Sequence, residues 1–453
     1  MARRLLVLFA AVALAACKVG PNYHRPDVPA PPVFRGGEPN PTQVSLGDTK
    51  WFDLFQDNVL RDLVREALQS NYDIRIAAQR VVEAQGQLAA TRSSLFPHLD
   101  GGATASRSGI SFPTQSTADV FAILSWELDL FGKLRRATEA ARADLLAIQE
   151  NQHAVLQSLI AQVASAYFDL REYDAELEIV RESIKARQES VQLVAAREKG
   201  GVASMLEVDQ AKSLVETAQS NAISLERAQT QTENFISLLL GKPPGSIARG
   251  RSLVDQPQPP DVPAGLPCAL LERRPDLRAA EQRLVAANAR VGVAKAAFFP
   301  TINLSAAGGA QTTDLLGIAQ RSGKAYLLSG ALDVPIFDAG RRAGNYKTAK
   351  AQREELVLQY LGAITGAFRD VSDALVGYKK TREFAGSQLT LTETLRDQSR
   401  LAARRYEGGV SSYLEVLDTE RQRLTAEQQL VQAQRDVLNT LVQLYQALGG
   451  GWQ

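Results

Sequence analysis

Residues 200–208 read GGVASMLEV and residues 408–416 read GGVSSYLEV, so one motif occurs twice at an offset of 208 residues. Other landmarks repeat in the same order. The segment 73–80, DIRIAAQR, matches 276–283, DLRAAEQR, at an offset of 203 residues. Because the landmarks keep their order and nearly the same spacing, they indicate an internal duplication. We therefore predict two structural repeats in one chain.

Proline-rich stretches separate these repeats from the rest of the chain. We place repeat 1 at 60–241 and repeat 2 at 268–449, followed by a short tail at 450–453. The stretch between the repeats, 242–267, is predicted to be an extended linker, because prolines disfavour helix and stiffen the chain. The similar composition of 17–59 predicts an N-terminal tether.

The N-terminus has the features of a targeting sequence. Arg3 and Arg4 precede an unbroken apolar run at 5–16, which is too short to cross a bilayer as a helix but suits the core of a signal peptide. The run ends in Leu-Ala-Ala before Cys17, which resembles the bacterial lipobox. We therefore predict that 1–16 is a removed signal peptide and that Cys17 is lipidated. The alternative is an ordinary signal peptide with a chance cysteine. Lys18, rather than aspartate, after the lipidated residue favours the outer membrane.

Both repeats contain proline-free spans rich in Ala, Leu, Gln, Glu and Arg, a composition that favours long helices. A helix from 132 to 199 would extend about 100 Å at 1.5 Å per residue. The paired glycines of the repeated motif are expected to end such helices. Opening helices are expected near 60–94 and 269–298. In repeat 1 a coiled-coil-like seam recurs every seven residues and is interrupted once by Arg187. Its residues are Leu156, Val163, Leu170, Leu177, Ile184 and Val191.

One stretch in each repeat differs from the helical spans. Residues 98–130 and 301–336 contain Gly, Ser, Thr and alternating apolar side chains, and each is long enough for two strands of about 10 residues. Two soluble hairpins are the alternative to membrane strands. Four strands cannot close a barrel, and open strand edges cannot face lipid. If these strands cross a membrane, several chains must share one barrel, and three chains would supply twelve strands.

The composition argues against most enzymes and against nucleic-acid binding. The formal net charge is +1, with 51 basic and 50 acidic residues and no basic run. The three histidines are far apart, and no zinc, P-loop or nucleophile-elbow motif is present. We therefore predict no catalytic residues, no metal and no cofactor apart from the covalent lipid on Cys17. Cys268 is expected to be an unpaired, partly buried residue.

Two further segments carry a family resemblance. Residues 19–23, VGPNY, and 270–276, LLERRPD, together with the lipobox and the doubled Gly-Val motif, resemble the outer-membrane factor family. The similarity is to its lipoprotein branch, the NodT/OprM-type efflux channels related to TolC, and it covers nearly the whole mature chain.

The resemblance implies a mainly α-helical fold with a transmembrane β part. Three identical chains would form a twelve-stranded β-barrel, four strands per chain, in the outer membrane. A long α-helical barrel would continue it into the periplasm. It also implies a passive exit duct for small toxic compounds in a tripartite efflux pump. The partners would be a periplasmic adaptor and an inner-membrane transporter of the RND type or another type.

The resemblance also assigns site residues. The two helical turns match the Gly-Val tips that contact the adaptor in this family, although simple helix termination explains them as well. The tip residues are Gly200, Gly201, Val202, Gly408, Gly409 and Val410. Leu414, Asp418 and Arg421 lie on one helical face and match positions that line the closed pore. A solvated or ion-paired helix face is the alternative. Repeat 1 has Gln210 at the place of Asp418, and Asp209 is a weaker counterpart.

Two other functions remain compatible with the sequence. An exit duct of a type I protein secretion system would share the fold and differ in its partners. A lipid-anchored trimeric coiled-coil scaffold or adhesin would explain the heptads and the lipobox. It would not explain two repeats that each carry a β-rich stretch.

Overall fold

The structure is a computed structural model. It describes residues 18–28, 31–35, 45–109, 115–256, 267–312 and 323–452. The signal peptide and Cys17 therefore lie outside the described residues, and their assignments stay predictions. Nowhere in these ranges is a helix both long enough and apolar enough to cross a membrane.

The described chain contains nine α-helices and four β-strands. The helices are α1 (Trp51–Leu54), α2 (Asn58–Ser70), α3 (Tyr72–Ser93), α4 (Lys133–Lys199), α5 (Met205–Leu239), α6 (Leu270–Arg273), α7 (Pro275–Ala296), α8 (Arg341–Glu407) and α9 (Tyr413–Ala447). The strands are β1 (His98–Ser108), β2 (Gln115–Leu128), β3 (Thr301–Thr312) and β4 (Gly323–Asp333).

The chain divides into two compact units. Unit 1 holds the four strands and the helix segments next to them, in the ranges 1–28, 78–150 and 277–363. Unit 2 holds the remainder, in the ranges 29–77, 151–276 and 364–453. Both repeats contribute to each unit, so the duplication in the sequence does not produce one unit per repeat.

The strands of unit 1 form one antiparallel sheet in the order β1-β2-β3-β4. Within the sheet, the two repeats meet at β2 and β3, where Leu124 pairs with Ala306. Within the described chain, β1 and β4 each have a single paired neighbour, so each leaves one edge open.

The two faces of this sheet differ in polarity, because successive side chains along a strand point to opposite faces. The pairing places Leu99, Leu124, Ala306 and Leu328 on one face. The side chain of Leu99 is 70% exposed and that of Leu328 is 76% exposed. The other face carries a polar row in which the Ser305 and Ser329 hydroxyls lie 2.6 Å apart. His98, Ser125, Ser305 and Ser329 form this row.

The core of unit 2 buries the middle of the seam predicted in repeat 1, whereas Leu156, Ile184 and Val191 are half-buried. Val163 and Leu170 are fully buried, and Leu177 is nearly so. They belong to helix faces that pack against α2, α8 and α9 residues such as Leu60 and Leu441. Burial of these side chains stabilises the unit by roughly 1.5–3 kcal/mol per residue.

The opening helix of each repeat is interrupted, which the sequence interpretation missed. In repeat 1, Asn71 ends α2 and its side-chain oxygen accepts hydrogen bonds from the amides of Asp73 and Ile74, so it caps α3. In repeat 2, Arg274 separates α6 from α7, and Pro275 occupies the first helical position. Proline suits that position because its missing N–H would have no partner there.

Four helix ends share one hydrogen-bonding pattern. At the end of α4, the Val202 amide donates to the Arg197 carbonyl and the Gly201 amide donates to the Glu198 carbonyl. This is a Schellman motif, in which a left-handed glycine satisfies the last carbonyls. The same pattern ends α5, α8 and α9, with φ of 67° at Gly241, 72° at Gly409 and 83° at Gly449.

The unpaired cysteine differs from the expectation. Cys268 is exposed rather than partly buried. It lies in a short 3-10 turn after the linker, where its neighbours Pro267 and Leu270 take the buried positions.

Candidate adaptor-contact tips and pore residues

The first tip joins α4 to α5 in unit 2. Gly201 has a φ of +74°, and a Cβ added there would meet no atom within 4 Å, so the backbone conformation rather than crowding favours glycine. Ser204 starts α5 with a capping box: its hydroxyl accepts from the Glu207 amide, and Glu207 accepts from the Ser204 amide. Val202 is 70% exposed. This tip is a rigid turn that presents an apolar side chain.

The second tip joins α8 to α9 and differs from the first in its cap. Gly409 has a φ of +72° and Val410 is 69% exposed, as in the first tip. Ser412 makes no side-chain capping bond, however, and Glu415 instead pairs with Arg405 of α8 at 3.2 Å. The two predicted tips therefore have the same backbone turn but different polar contacts.

Leu414, Asp418 and Arg421 lie together on the exposed face of α9. Leu414 is 65% exposed, and the neighbouring Tyr413 and Val416 point into the core. The Asp418 carboxylate accepts from Arg421 at 2.9 Å and from Gln422 at 2.6 Å. Within one chain, Asp418 is thus paired along its own helix. The pore assignment of this face stays a prediction.

The counterparts in repeat 1 are arranged similarly. Asp209 is exposed and lies 3.5 Å from Lys212, one helical turn further along α5. Gln210, at the place equivalent to Asp418, is half-buried. An acidic group on the exposed face thus sits one position earlier in repeat 1 than in repeat 2.

A pair of buried tyrosines beneath the tips was not identified from the sequence. Tyr406 and Tyr413 have ring centroids 5.1 Å apart, and the Tyr413 hydroxyl lies 3.0 Å from the Ser190 hydroxyl. Arg197 stacks on the Tyr406 ring at 4.5 Å and donates to the Tyr406 carbonyl. These contacts join α4 of repeat 1 to α8 and α9 of repeat 2. The sequence contains one indication of this pair, because the second copy of the repeated motif has Tyr413 where the first copy has Met205.

Arg187, which interrupts the apolar seam, is buried next to this tyrosine pair. It is 6% exposed and donates to the Leu214 carbonyl at 2.8 Å, while its Nε has no hydrogen-bond partner among the described residues. Burial lowers the pKa of Arg187, and the nearby Glu420 opposes that shift. A cavity of about 320 Å³ lies here, lined by Arg187, Tyr406, Tyr413, Glu420 and neighbouring residues.

A second set of charged side chains lies further along α4 in unit 2. Arg435 contacts Asp169 at 3.0 Å and Glu172 at 3.4 Å, and Gln432 donates to Glu176 at 2.8 Å. Glu172 is 3% exposed. Burial, with a smaller effect of neighbouring carboxylates, raises the pKa of Glu172 to about 7, and Arg435 opposes the shift.

The arrangement of charges offers no metal centre. Across the ranges that the structure describes, no three or more His, Cys, Asp or Glu side chains are placed to hold a metal ion. The exposed features of the site are instead two apolar tips and one charged helix face. Such surfaces suit contacts with another protein or with a solvated passage.

Comparison with known proteins identifies the relatives of this chain. The model of the family described as outer membrane efflux protein matches residues 63–242 and 266–450. A toluene efflux pump outer membrane protein of Pseudomonas putida is 36% identical over 470 residues, which covers 100% of this chain and 98% of that protein. A cation efflux system protein of Escherichia coli, CusC, is 34% identical over 457 residues, with 99% of each covered.

Solved structures give the same result. The open state of the Neisseria gonorrhoeae MtrE outer membrane channel aligns with a TM-score of 0.88 at 31% identity, covering 96% of this chain and 99% of that one. The outer-membrane channel OprN aligns with a TM-score of 0.89 at 30% identity, covering 96% and 100%. The family model alone spans well over half of the chain, in two matches that follow the duplication. This chain belongs to the outer membrane efflux protein family, a family of efflux channels.

Proposed function

We propose that this protein is the outer-membrane channel of a tripartite efflux pump and a passive exit duct for small toxic compounds. The observation that carries the proposal is the sheet of unit 1. It has one apolar, exposed face, one polar face and two unpaired edges. Unpaired edges are not tolerated in lipid, so the sheet needs neighbouring chains. Three copies would provide twelve strands, whose polar row would line the inside and whose apolar face would contact lipid.

The tips support the proposed partners. The exposed Val202 and Val410 on rigid glycine turns suit docking of a periplasmic adaptor, which would connect the channel to an inner-membrane transporter. Cleavage before Cys17 and lipidation of that residue would add an anchor in the outer membrane, with the helical part in the periplasm. The named substrates of relatives, toluene and cations, differ, so the proposal extends to the class of small toxic compounds only.

The face formed by Leu414, Asp418 and Arg421 is proposed to close the periplasmic end. In a trimer, three Leu414 side chains would form an apolar constriction next to a ring of three Asp418 carboxylates. The Arg421 partner at 2.9 Å would limit repulsion between those carboxylates. Loss of the carboxylate is expected to loosen the closed state.

Single-channel conductance of the purified protein in planar bilayers tests both statements. We expect small steps for the wild type and larger steps for Asp418→Ala. Asp397→Ala is the matched control, because this exposed aspartate of α8 also pairs with an arginine one turn away and lies outside the proposed gate. If the wild type gives clear conductance steps and Asp418→Ala leaves their size unchanged, the channel proposal stands and the gate proposal is wrong. If the wild-type protein inserts into the bilayer but gives no conductance steps, the lipid-anchored scaffold is favoured.

A further inference from the structure

The first described residues of the chain, Lys18–Arg25, lie on unit 1 in one defined path, and we name this segment the strap. Its backbone is fixed at the end of β2, where the Val19 amide donates to the Phe131 carbonyl at 3.1 Å. Lys18 forms an ion pair with Glu139 of α4. The strap therefore begins at the junction between the sheet and α4.

A buried arginine of α4 holds the middle of the strap. Arg136 is only 1% exposed, although it carries a full charge. Its Nε donates to the Val19 carbonyl at 3.3 Å, and its Nη2 donates to the Gly20 carbonyl at 3.2 Å and to Asn22 Oδ1 at 2.9 Å. Nη1 pairs with Glu139 at 3.0 Å. The planar guanidinium group thus donates hydrogen bonds to three groups of the strap at once.

Helix α7, which belongs to repeat 2, also holds the strap through hydrogen bonds. Asn288 donates to the Pro21 carbonyl at 2.9 Å. The Glu281 carboxylate accepts from the Tyr23 hydroxyl at 3.0 Å and, through both oxygens, from Arg25 at 2.6 and 2.7 Å. Glu281 is itself 8% exposed, and both of its carboxylate oxygens accept hydrogen bonds from the strap.

A glycine pair lets the strap approach α7 closely. Gly20 has a φ of +106°, and a Cβ added to it would lie 2.5 Å from the Cα of Gly292. A Cβ added to Gly292 would lie 3.0 Å from the Arg136 side chain. Both glycines are therefore needed for the strap, the arginine and α7 to share this space.

The duplicated sequence supplies an internal comparison. Arg342 occupies the position equivalent to Arg136 in repeat 2, at an offset of 206 residues. Among the described residues, it pairs with Asp338 of its own helix start at 2.9 Å and makes no hydrogen bond to the strap. The surroundings of Arg136 are thus particular to one repeat and are not a general property of these helix starts.

We propose that the groove between α4 and α7 is a peptide-binding site whose ligand is the chain's own strap, with Arg136 as the positioning residue. The bound strap ties repeat 1 to repeat 2 next to the sheet. This proposal goes beyond the channel function and does not depend on it, because it concerns contacts within one chain.

Protease access to the strap tests the proposal in full-length protein purified from membranes. Trypsin cleaves after Lys18 and chymotrypsin after Tyr23, and mass spectrometry measures the released N-terminal peptides. Cleavage within a bound segment requires local opening, so its rate reports how firmly the strap is held. We expect Arg136→Gln to raise both rates about tenfold or more, because three strap groups lose their donors. Arg136→Lys, which keeps the charge without the planar guanidinium group, should restore resistance only in part.

Arg342→Gln is the matched control and should leave both rates at the wild-type value. Equal rates in wild type and Arg136→Gln would overturn the proposal. Equal acceleration by Arg136→Gln and Arg342→Gln would also overturn it, because general loosening of unit 1 would then explain the result. If Arg136→Gln does not fold, Asn22→Ala and Glu281→Gln decide the question. Glu281→Gln should expose the bond after Tyr23 more than the bond after Lys18, and no change in either variant would reject the site.

Discussion

Glu172 shows how a single residue can make the stability of this protein depend on pH. It is buried on α4, and its pKa is raised to about 7, mainly by burial. In the unfolded chain the same carboxyl titrates near its ordinary value of 4.5. Between these values the folded state binds a proton that the unfolded state has lost, so the free energy of unfolding falls as pH rises through this window. Below this window both states are protonated, so the cost of ionising Glu172 is absent and the full stability is present.

We expect Glu172→Gln to raise the melting temperature relative to wild type at pH 8 and to leave it nearly unchanged at pH 5. The free energy of unfolding at pH 8 should rise by about 1–2 kcal/mol. The rise is limited because Arg435 loses its contact with Glu172, although it keeps Asp169 and Asp436. Thermal scans at one fixed rate at both pH values measure it. Glu178→Gln is the control, because that glutamate is exposed on the same helix. An equal shift at both pH values would contradict the titration argument.

Residue positions in the core were only partly predictable. The apolar seam through Val163 and Leu170 follows from local periodicity, which the sequence displays directly. The burial of Arg187 and of the Tyr406–Tyr413 pair does not, because it depends on how separate helices pack: Arg187 donates to a carbonyl of α5, and the Tyr413 hydroxyl of α9 meets Ser190 of α4. The sequence shows Arg187 only as a break in the seam, and no local pattern indicates that the Leu214 carbonyl accepts its hydrogen bond.

Helix ends are the elements that the sequence predicted best. Glycine in the left-handed conformation satisfies the last carbonyls of a helix, so a glycine after an Ala- and Leu-rich span indicates the end. The structure has such ends at Gly201 and Gly409. The interruption at Asn71 was missed, because an asparagine that caps the next helix resembles an ordinary polar residue within a longer helical pattern.

Gly200 and Gly201 provide a matched pair for testing the tip. Gly201→Ala is expected to destabilise the end of α4 by about 1 kcal/mol, because a Cβ is unfavourable at a φ of +74°. Gly200→Ala should be neutral or slightly stabilising, since its φ is not positive and a Cβ there lies 3.5 Å from its nearest neighbour. Amide hydrogen exchange of Val202, whose N–H closes the motif, measures the effect. Equal protection of Val202 in both variants would show that the glycine conformation does not hold the turn.

At the scale of the whole molecule, the sheet requires neighbours that a single chain does not supply. Its apolar face is exposed, with Tyr326 86% and Leu328 76% exposed, and its outer strands have open edges. The sequence indicated the number and length of the strands, because alternation and glycine spacing are local. It did not indicate that β2 of repeat 1 pairs with β3 of repeat 2, since pairing over such a distance depends on the rest of the fold.

Leu328 and Ser329 are neighbours on β4 that point to opposite faces, and they test which face meets lipid. We expect Leu328→Arg to abolish assembly of the proposed trimer and insertion into the outer membrane, because arginine on a lipid face costs about 2–4 kcal/mol near the bilayer centre. Ser329→Arg, on the proposed inner face, should be tolerated. Semi-native gels and membrane fractionation measure both. Loss of the trimer in the serine variant alone would reverse the assignment of the two faces.

The helix bounds carry a further consequence for which changes in length this chain tolerates. The two long helices have 67 residues each, and the two that follow the tips have 35 each. One residue added to α4 between Leu177 and the tip would move that tip by 1.5 Å and rotate it by about 100° relative to its counterpart. The contacts of Val194 with the buried tyrosines below the tips would then be lost. Insertions inside one of these helices are therefore disfavoured. The described part of the linker is also held in place, because Ile247 and Leu253 are buried in the core and the Arg251 amide donates to Asp57.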